Sequence, residues 1–253
     1  MIIIKSEKEI ALMREGGKIL AGIMNQLGKN IFPGQNTGAI NKLARELVFS
    51  YGGIPIFEGY GDKKRPYPAT VCTSINSEIV HGIPDEKRII CSGDLVKLDI
   101  GMKYRGMITD MARTYPAGNI SDEAQKLIDA TKKCLDEGIK TIRAGVKLSD
   151  YGKVVEKYVR ARGFSVVREL VGHGVGRELH EDPCIPNYAA KMREIVLQEG
   201  MTLALEPMIN VGTHYIKLMH DGWTYATKDG KLSAHFEDTI VVTKNGAEIL
   251  TRI

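Results

Sequence analysis

With 253 residues, 43% hydrophobic and 26% charged, the chain can bury a sizeable core and has the balance of an ordinary globular protein. The net charge of +4 is spread out except at Lys63-Lys64-Arg65, which reads as a solvated loop rather than a nucleic-acid patch, and no stretch approaches the roughly 18 apolar residues of a membrane span. Four scattered cysteines without a CxxC pair (Cys72, Cys91, Cys134, Cys184), and no leader-like run in MIIIKSEKEI, argue for reduced thiols in the cytoplasm and against a structural zinc module.

Ser6 and Glu9 form a capping box that opens a helix through Ile10, Met13, Ile19, Leu20, Ile23 and Leu27, stopping at Gly28. Thr37 opens a second through Ile40, Leu43, Ala44 and Leu47, closed by Gly52-Gly53. An extended block, GDLVKLD (93–99), then places Val96, Leu98 and Ile100 on one face and Lys97 and Asp99 on the other. In MITDMART the residues Ile108, Asp110, Ala112 and Thr114 share a face.

The same order then repeats. Ser121 starts a helix through Leu127, Ile128, Leu135 and Ile142 to Gly145, and Ser149 starts another through Val154, Val155 and Val159 to Gly163. GMTLALE (200–206) sets Leu203 and Leu205 against Ala204 and Glu206, and AHFEDTIVVT aligns His235, Glu237, Thr239 and Val241. In both blocks a glycine precedes a carboxylate by six positions. This predicts an α+β domain of pseudo-twofold halves, roughly 1–115 and 116–253, with a curved antiparallel sheet around a cavity.

A single Asp or Glu on such a strand belongs by default to a solvated face. Four of them, Asp99, Asp110, Glu206 and Glu237, converge on one concave surface if the repeat is real, and four carboxylates together need cations to neutralise them. Two divalent metals are the simple solution, in an oxygen-rich site suited to amide hydrolysis. ELVGHGVGRELHEDPC (169–184) adds His173 and His180, with Gly172, Gly174 and Gly176 arguing against a helix and letting the backbone pass close to such a site.

SINSEIVHGIP (74–84), GDLVKLDIG (93–101), TDMART (109–114), GHGVGRELHEDP (172–183), MTLALEPM (201–208), DGWT (221–224) and SAHFEDTIVVT (233–243), in this order, closely resemble the type I methionine aminopeptidases. The resemblance implies the pita-bread fold as a single catalytic domain over 1–253, and two divalent ions of cobalt, manganese, iron(II), zinc or nickel. It implies Asp99 as chelating ligand of one metal, Asp110 and Glu237 as bridges, and His173 and Glu206 as ligands of the other. A metal-bridged water or hydroxide would attack the first peptide bond, Glu206 taking its proton, His180 meeting the substrate carbonyl and His81 the leaving amine. Thr114 would orient a bridging ligand, and Tyr67, Cys72, Leu179 and Trp223 would line the methionine pocket. The implied substrates are nascent polypeptide N-termini with a small second residue, met by a cytoplasmic monomer in transient association with the ribosome.

Three departures touch no implied metal ligand. Six residues, Gly61–Pro66, stand where two are expected, which leaves Phe57 and Tyr60 without an assigned role; Leu179 replaces an aromatic ring found in some members; and Asp238 stands where histidine is common. The proline-specific peptidases share the five-ligand pattern but carry a large extra N-terminal domain. The type II methionine enzymes carry a helical insertion between the last two acidic ligands, here only 31 positions apart. A metal-free binding module, or creatinase-like chemistry, is expected to have lost ligands that this chain keeps.

Overall fold

A computed structural model describes residues 1–191 and 193–253. In chain order the elements are α1 (Glu7–Gly28), α2 (Thr37–Ser50), β1 (Ile54–Pro55), β2 (Cys72–Ile75), β3 (Glu78–Val80), β4 (Leu95–Tyr104), β5 (Met107–Pro116), α3 (Asp122–Ile139), α4 (Ser149–Arg160) and β6 (Ser165–Val166). There follow β7 (Gly172–Gly174), β8 (Glu181–Ile185), β9 (Thr202–Leu205), β10 (Met208–Asn210), β11 (Ile216–Leu218), β12 (Tyr225–Thr227), β13 (Ser233–His235), β14 (Glu237–Val242) and β15 (Ala247–Ile249).

The capping box at Ser6 forms as the sequence predicts, Ser6 and Glu9 each bonding the other's main chain. α2 and α4 begin at Thr37 and Ser149 as the sequence predicts, but three details of the helix ends are set elsewhere. Asn36, not Thr37, caps α2, because the Thr37 hydroxyl is engaged with both main-chain groups of Asp85. Leu148 occupies the cap position of α4, where the Ser149 hydroxyl turns instead to Glu194. α3 ends at Ile139 rather than Gly145, and Ile142 packs from a following turn.

The main sheet is antiparallel throughout, and its central order β2-β4-β5-β14-β9-β7 carries the expected pseudo-symmetry. Each half contributes a helix pair and then three strands, and the halves meet at the seam between β5 and β14. On the helix side Val96, Leu98, Ile100 and Met102 of β4 pack with Leu20, Ile23 and Leu27 of α1. Their counterparts Leu203, Leu205, Ile240 and Val242 pack with Leu127, Leu135, Tyr151 and Val155 of α3 and α4. The period-two alternation of the acidic blocks is therefore the partition between helix-facing core and cavity.

The seam ladder is short, pairing only Glu237 with Ala112 and Asp238 with Met111. Threonine hydroxyls take over on either side of it. Thr239 donates to the Asp110 carbonyl (2.8 Å) and accepts from its N–H (2.9 Å), and Thr114 does the same with His235 (2.7 and 2.9 Å). Thr114 thus holds main chain beside Glu237, and among the described residues its hydroxyl makes no hydrogen bond to a carboxylate. Lys97, on the cavity face, is buried, with its ammonium on the carbonyls of Asn76 (2.7 Å) and Ser233 (3.2 Å), one from each half.

Asp238 points away from the cavity. Fully buried, it accepts from Arg113 (2.6 Å), Thr251 (2.9 Å) and Arg252 (2.8 Å). Asp238→Asn leaves the Arg113 guanidinium without its counter-charge and Arg252 with Asp136 alone, and urea unfolding is expected to show a loss of about 2 kcal/mol with metal content unchanged. A loss below about 0.5 kcal/mol would refute this reading of the seam. Among the described residues, all four cysteines are free thiols and no helix is long and apolar enough to cross a membrane.

Candidate active site

Asp99 lies opposite Cys72 on one side and Ala112 on the other, and Ala112 in turn lies opposite Glu237. A methyl group between two carboxylate-bearing strands leaves space above the sheet. Ala204 plays the matching part in the second half, between Thr239 and His173. Asp110 stands on the same face of β5 as Ala112, and Glu206 directly follows β9.

β7 is squeezed between β8 and β9, which explains its glycines. A Cβ on Gly172 would fall 2.4 Å from the Ala204 carbonyl oxygen, and one on Gly174 would fall 2.2 Å from that of Asp182. The crowding comes from neighbouring main chain rather than from the site itself. With β7 held there, His173 projects over the sheet, and the turn that follows brings back His180, the two ring centroids 4.4 Å apart.

Eleven of the twelve residues given roles from the sequence line one pocket, Thr114 being the exception. At its floor are Asp99, Asp110, His173, Glu206 and Glu237; His81 and His180 stand beside them; Tyr67, Cys72, Leu179 and Trp223 form an apolar slot. Phe57 and Tyr60, left unassigned because of the insertion, also line it. The insertion does not displace them because it is the tip of a hairpin closed by Gly59 N–H to the Tyr67 carbonyl and Tyr67 N–H to the Tyr60 carbonyl, both 2.8 Å. Lys63, Lys64 and Arg65 at the tip are exposed, as a solvated loop should be.

The slot is built on aromatic edges. Tyr67 meets Trp223 and Phe57 in T-shaped contacts (centroids 5.3 and 6.5 Å) and donates its hydroxyl to the Gly82 carbonyl at 2.8 Å. Asp221 accepts the N–H groups of Trp223 and Thr224, each at 2.9 Å, and so sets the turn that presents the indole. His81 carries a left-handed backbone (φ 59°), a conformation that a non-glycine residue holds only when its surroundings enforce it.

Burial is the first cause of every pKa displacement at the floor. It raises Asp99, Glu206 and Glu237 well above the usual carboxylate range, their negative neighbours adding to it, and pushes Asp110 up to about 7. Burial likewise lowers the imidazoles, His173 to about 3 and His81 to about 4. Asp99 Oδ1, Asp110 Oδ1 and Glu237 Oε1 are buried with no hydrogen-bond partner among the described residues. Carboxylate oxygens kept dry and unpartnered in this way are suited to a cation.

One donor atom each from Asp110, His173 and Glu237 falls in a set within 4.8 Å of one another. Glu206 Oε1 is 3.4 Å from His173 Nε2, a spacing two ligands of one ion can share, while Asp99 closes the first-half side. The residues present therefore fit a bound metal. His235, given no role from the sequence, is buried with neither ring nitrogen hydrogen-bonded among the described residues, Nε2 lying 3.6 Å from Glu206 Oε2. Its alternation with Glu237 and Thr239 was the signal that could have found it.

The profile of metallopeptidase family M24 matches residues 11–244. The chain belongs to that family. A methionine aminopeptidase of Clostridium acetobutylicum is 44% identical over 99% of both chains. The crystal structure of a methionine aminopeptidase from Thermotoga maritima superposes with a TM-score of 0.96, at 42% identity and full coverage of both chains. The pita-bread architecture expected from the sequence is thus the fold of this M24 enzyme. A Xaa-Pro dipeptidase of Bacillus anthracis shares the fold (TM-score 0.77, 24% identity), but this chain spans only 62% of it.

Proposed function

We propose that this M24 enzyme is a type I methionine aminopeptidase, releasing the N-terminal methionine of nascent proteins and peptides whose second residue is small. The observation that carries this reading is the single pocket that joins a carboxylate and imidazole floor to an apolar slot ending in Tyr67, Cys72 and Trp223. An unbranched thioether fits such a slot, since sulfur adds polarizable contacts with aromatic edges to simple burial. Full-length similarity to methionine aminopeptidases, against partial coverage of a proline-specific enzyme, points the same way.

Asp99, Asp110, His173, Glu206 and Glu237 would hold two divalent ions, which when bound supply Lewis acidity toward the scissile carbonyl and toward water. The protein's own groups do the rest. The floor carboxylates attract the free α-amine of the substrate, which restricts cleavage to the first residue. Glu206 accepts the proton of the attacking water, His180 donates to the carbonyl oxygen as charge develops there, and His81 attends the departing nitrogen.

Incubating metal-reconstituted protein with Met-Ala-Ser and Ala-Pro-Ser, with and without chelator, tests the reading. Methionine release that needs metal is expected; cleavage of the proline peptide alone would overturn it. His180→Ala should lower turnover by about a hundredfold with metal content intact, the cost of one oxyanion donor. Loss of metal in that variant would move His180 from the substrate to the ligand set.

A further inference from the structure

We propose that Tyr60 is a positioning residue whose phenol O–H, donated to His180 Nδ1, holds that imidazole in the tautomer that presents an Nε2–H donor to the substrate carbonyl. The contact is 2.5 Å, with the two rings edge to face at 5.2 Å between centroids. The inference rests on the role proposed above for His180.

The tautomers of the two neighbouring histidines follow from what each Nδ1 meets. His173 Nδ1 lies 2.9 Å from the Gly174 carbonyl oxygen, which can only accept. His173 therefore carries its hydrogen on Nδ1 and turns an Nε2 lone pair to the floor, the form a cation needs. His180 Nδ1 meets a hydroxyl instead, which can donate or accept. Two features decide between these. The pocket that His180 shares with Asp99, Asp110 and Glu237 holds carboxyl oxygens with no partner among the described residues, so an N–H directed into it is favoured over a lone pair. Burial and the nearby Glu178 carboxylate both push the Tyr60 phenol up, so it keeps its proton to give. Two imidazoles 4.4 Å apart thus face one cavity with opposite polarity, one able only to accept and the other only to donate.

Both partners are held in place from behind. Tyr60 is the foot of the insertion hairpin, its carbonyl bonded by Tyr67 N–H and its own N–H bonded to Phe57. Glu181 Oε1 accepts the N–H groups of Arg177 and Glu178 and so fixes the turn that carries His180, while Lys5 holds the same carboxylate from below. The residues that flank Gly61–Pro66, not the insertion itself, therefore close the hairpin that aims Tyr60 at His180.

Tyr60→Phe removes the hydroxyl and keeps the ring. In metal-loaded protein the variant is expected to lower kcat on Met-Ala-Ser by about tenfold, the scale of losing a partner that orients an active-site imidazole, with KM within about twofold and metal content unchanged. In a His180→Ala background the same change should add nothing, because two groups that act as one unit are not additive. Histidine-selective nitrogen NMR should show His180 protonated at Nε2 in the native protein and a mixture of tautomers in Tyr60→Phe. An effect confined to KM, full additivity with His180→Ala, or a native His180 protonated at Nδ1 would each overturn the proposal. If His180→Ala alone leaves kcat intact, the role of His180 in turnover fails, and the NMR result still decides the tautomer.

Discussion

Replacing Asp110 with Asn is expected to lower kcat/KM on Met-Ala-Ser by at least about a thousandfold, about 4 kcal/mol of transition-state stabilisation. Three observations make Asp110 the most exacting position. Its carboxylate belongs to the tight set with His173 and Glu237. Its Oδ1 is buried without a hydrogen-bond partner among the described residues. Its main chain is clamped at both N–H and carbonyl by Thr239, so the side chain cannot be re-aimed by a small shift of the strand. Asn preserves shape and removes one charge, so the expected loss is of metal affinity rather than of fold. Above about pH 7, where Asp110 would ionise in its buried site, the metal-free variant should even melt higher than the metal-free native protein, since it has no buried charge to form there. The contrast with Asp238→Asn separates two adjacent roles: the first variant should lose metal and activity but gain stability without metal, and the second should lose stability and keep both. Asp110→Asn retaining two bound ions and near-native turnover would sink the ligand assignment.

The parts of this arrangement that sequence could disclose are those set by local period. Val96, Leu98 and Ile100 alternate with Lys97 and Asp99 because a strand shows opposite faces to core and cavity, and the duplicated glycine-to-carboxylate spacing betrays the second copy. The capping box at Ser6 is equally local. What stayed hidden depends on contacts between distant segments. Nothing in the neighbourhood of Thr37 or Ser149 reveals that Asp85 or Glu194 will draw their hydroxyls away from the helix ends. Lys97 reads as a cavity-facing charge, and only the meeting of Asn76 with Ser233 gives its ammonium two carbonyls to bind. A stretch of six residues where two are expected counts against Tyr60 when read along the chain. In space it is harmless, because the hairpin closes at Gly59, Tyr60 and Tyr67 before the extra residues begin.

Metal removal is expected to make stability depend on pH in a window fixed by opposing groups. In the folded, metal-free protein burial holds Asp99, Glu206 and Glu237 well above their ordinary values and Asp110 at about 7. Each keeps a proton that the unfolded chain has already lost, so each contributes stability that is present at low pH and lost as pH rises through its folded value. The buried imidazoles work in the other direction. His173 and His235 at about 3, His81 at about 4 and His180, lowered by burial, stay neutral while the unfolded chain takes up protons below about 6.5, so they cost stability as pH falls. Below about pH 6.5 the two sets offset one another. Above it the histidines are neutral in both states and the carboxylate loss stands alone, reduced by one group from about pH 7 upward, where buried Lys97, itself at about 7, begins to favour the folded state. The apparent Tm of chelator-treated protein should therefore change little between pH 5 and 6.5 and fall between 6.5 and 7.5. Saturating manganese(II) should reverse that fall, because cations compete with protons for the same oxygens, and raise Tm by at least about 5 °C at pH 7.5. Differential scanning fluorimetry across this range, with the Asp110→Asn variant alongside, reads both effects. A metal-free Tm that climbs from pH 6.5 to 7.5, or a manganese-induced rise that shrinks over the same interval, would mean that the four carboxylates are not the charged cluster from which the metal centre is built.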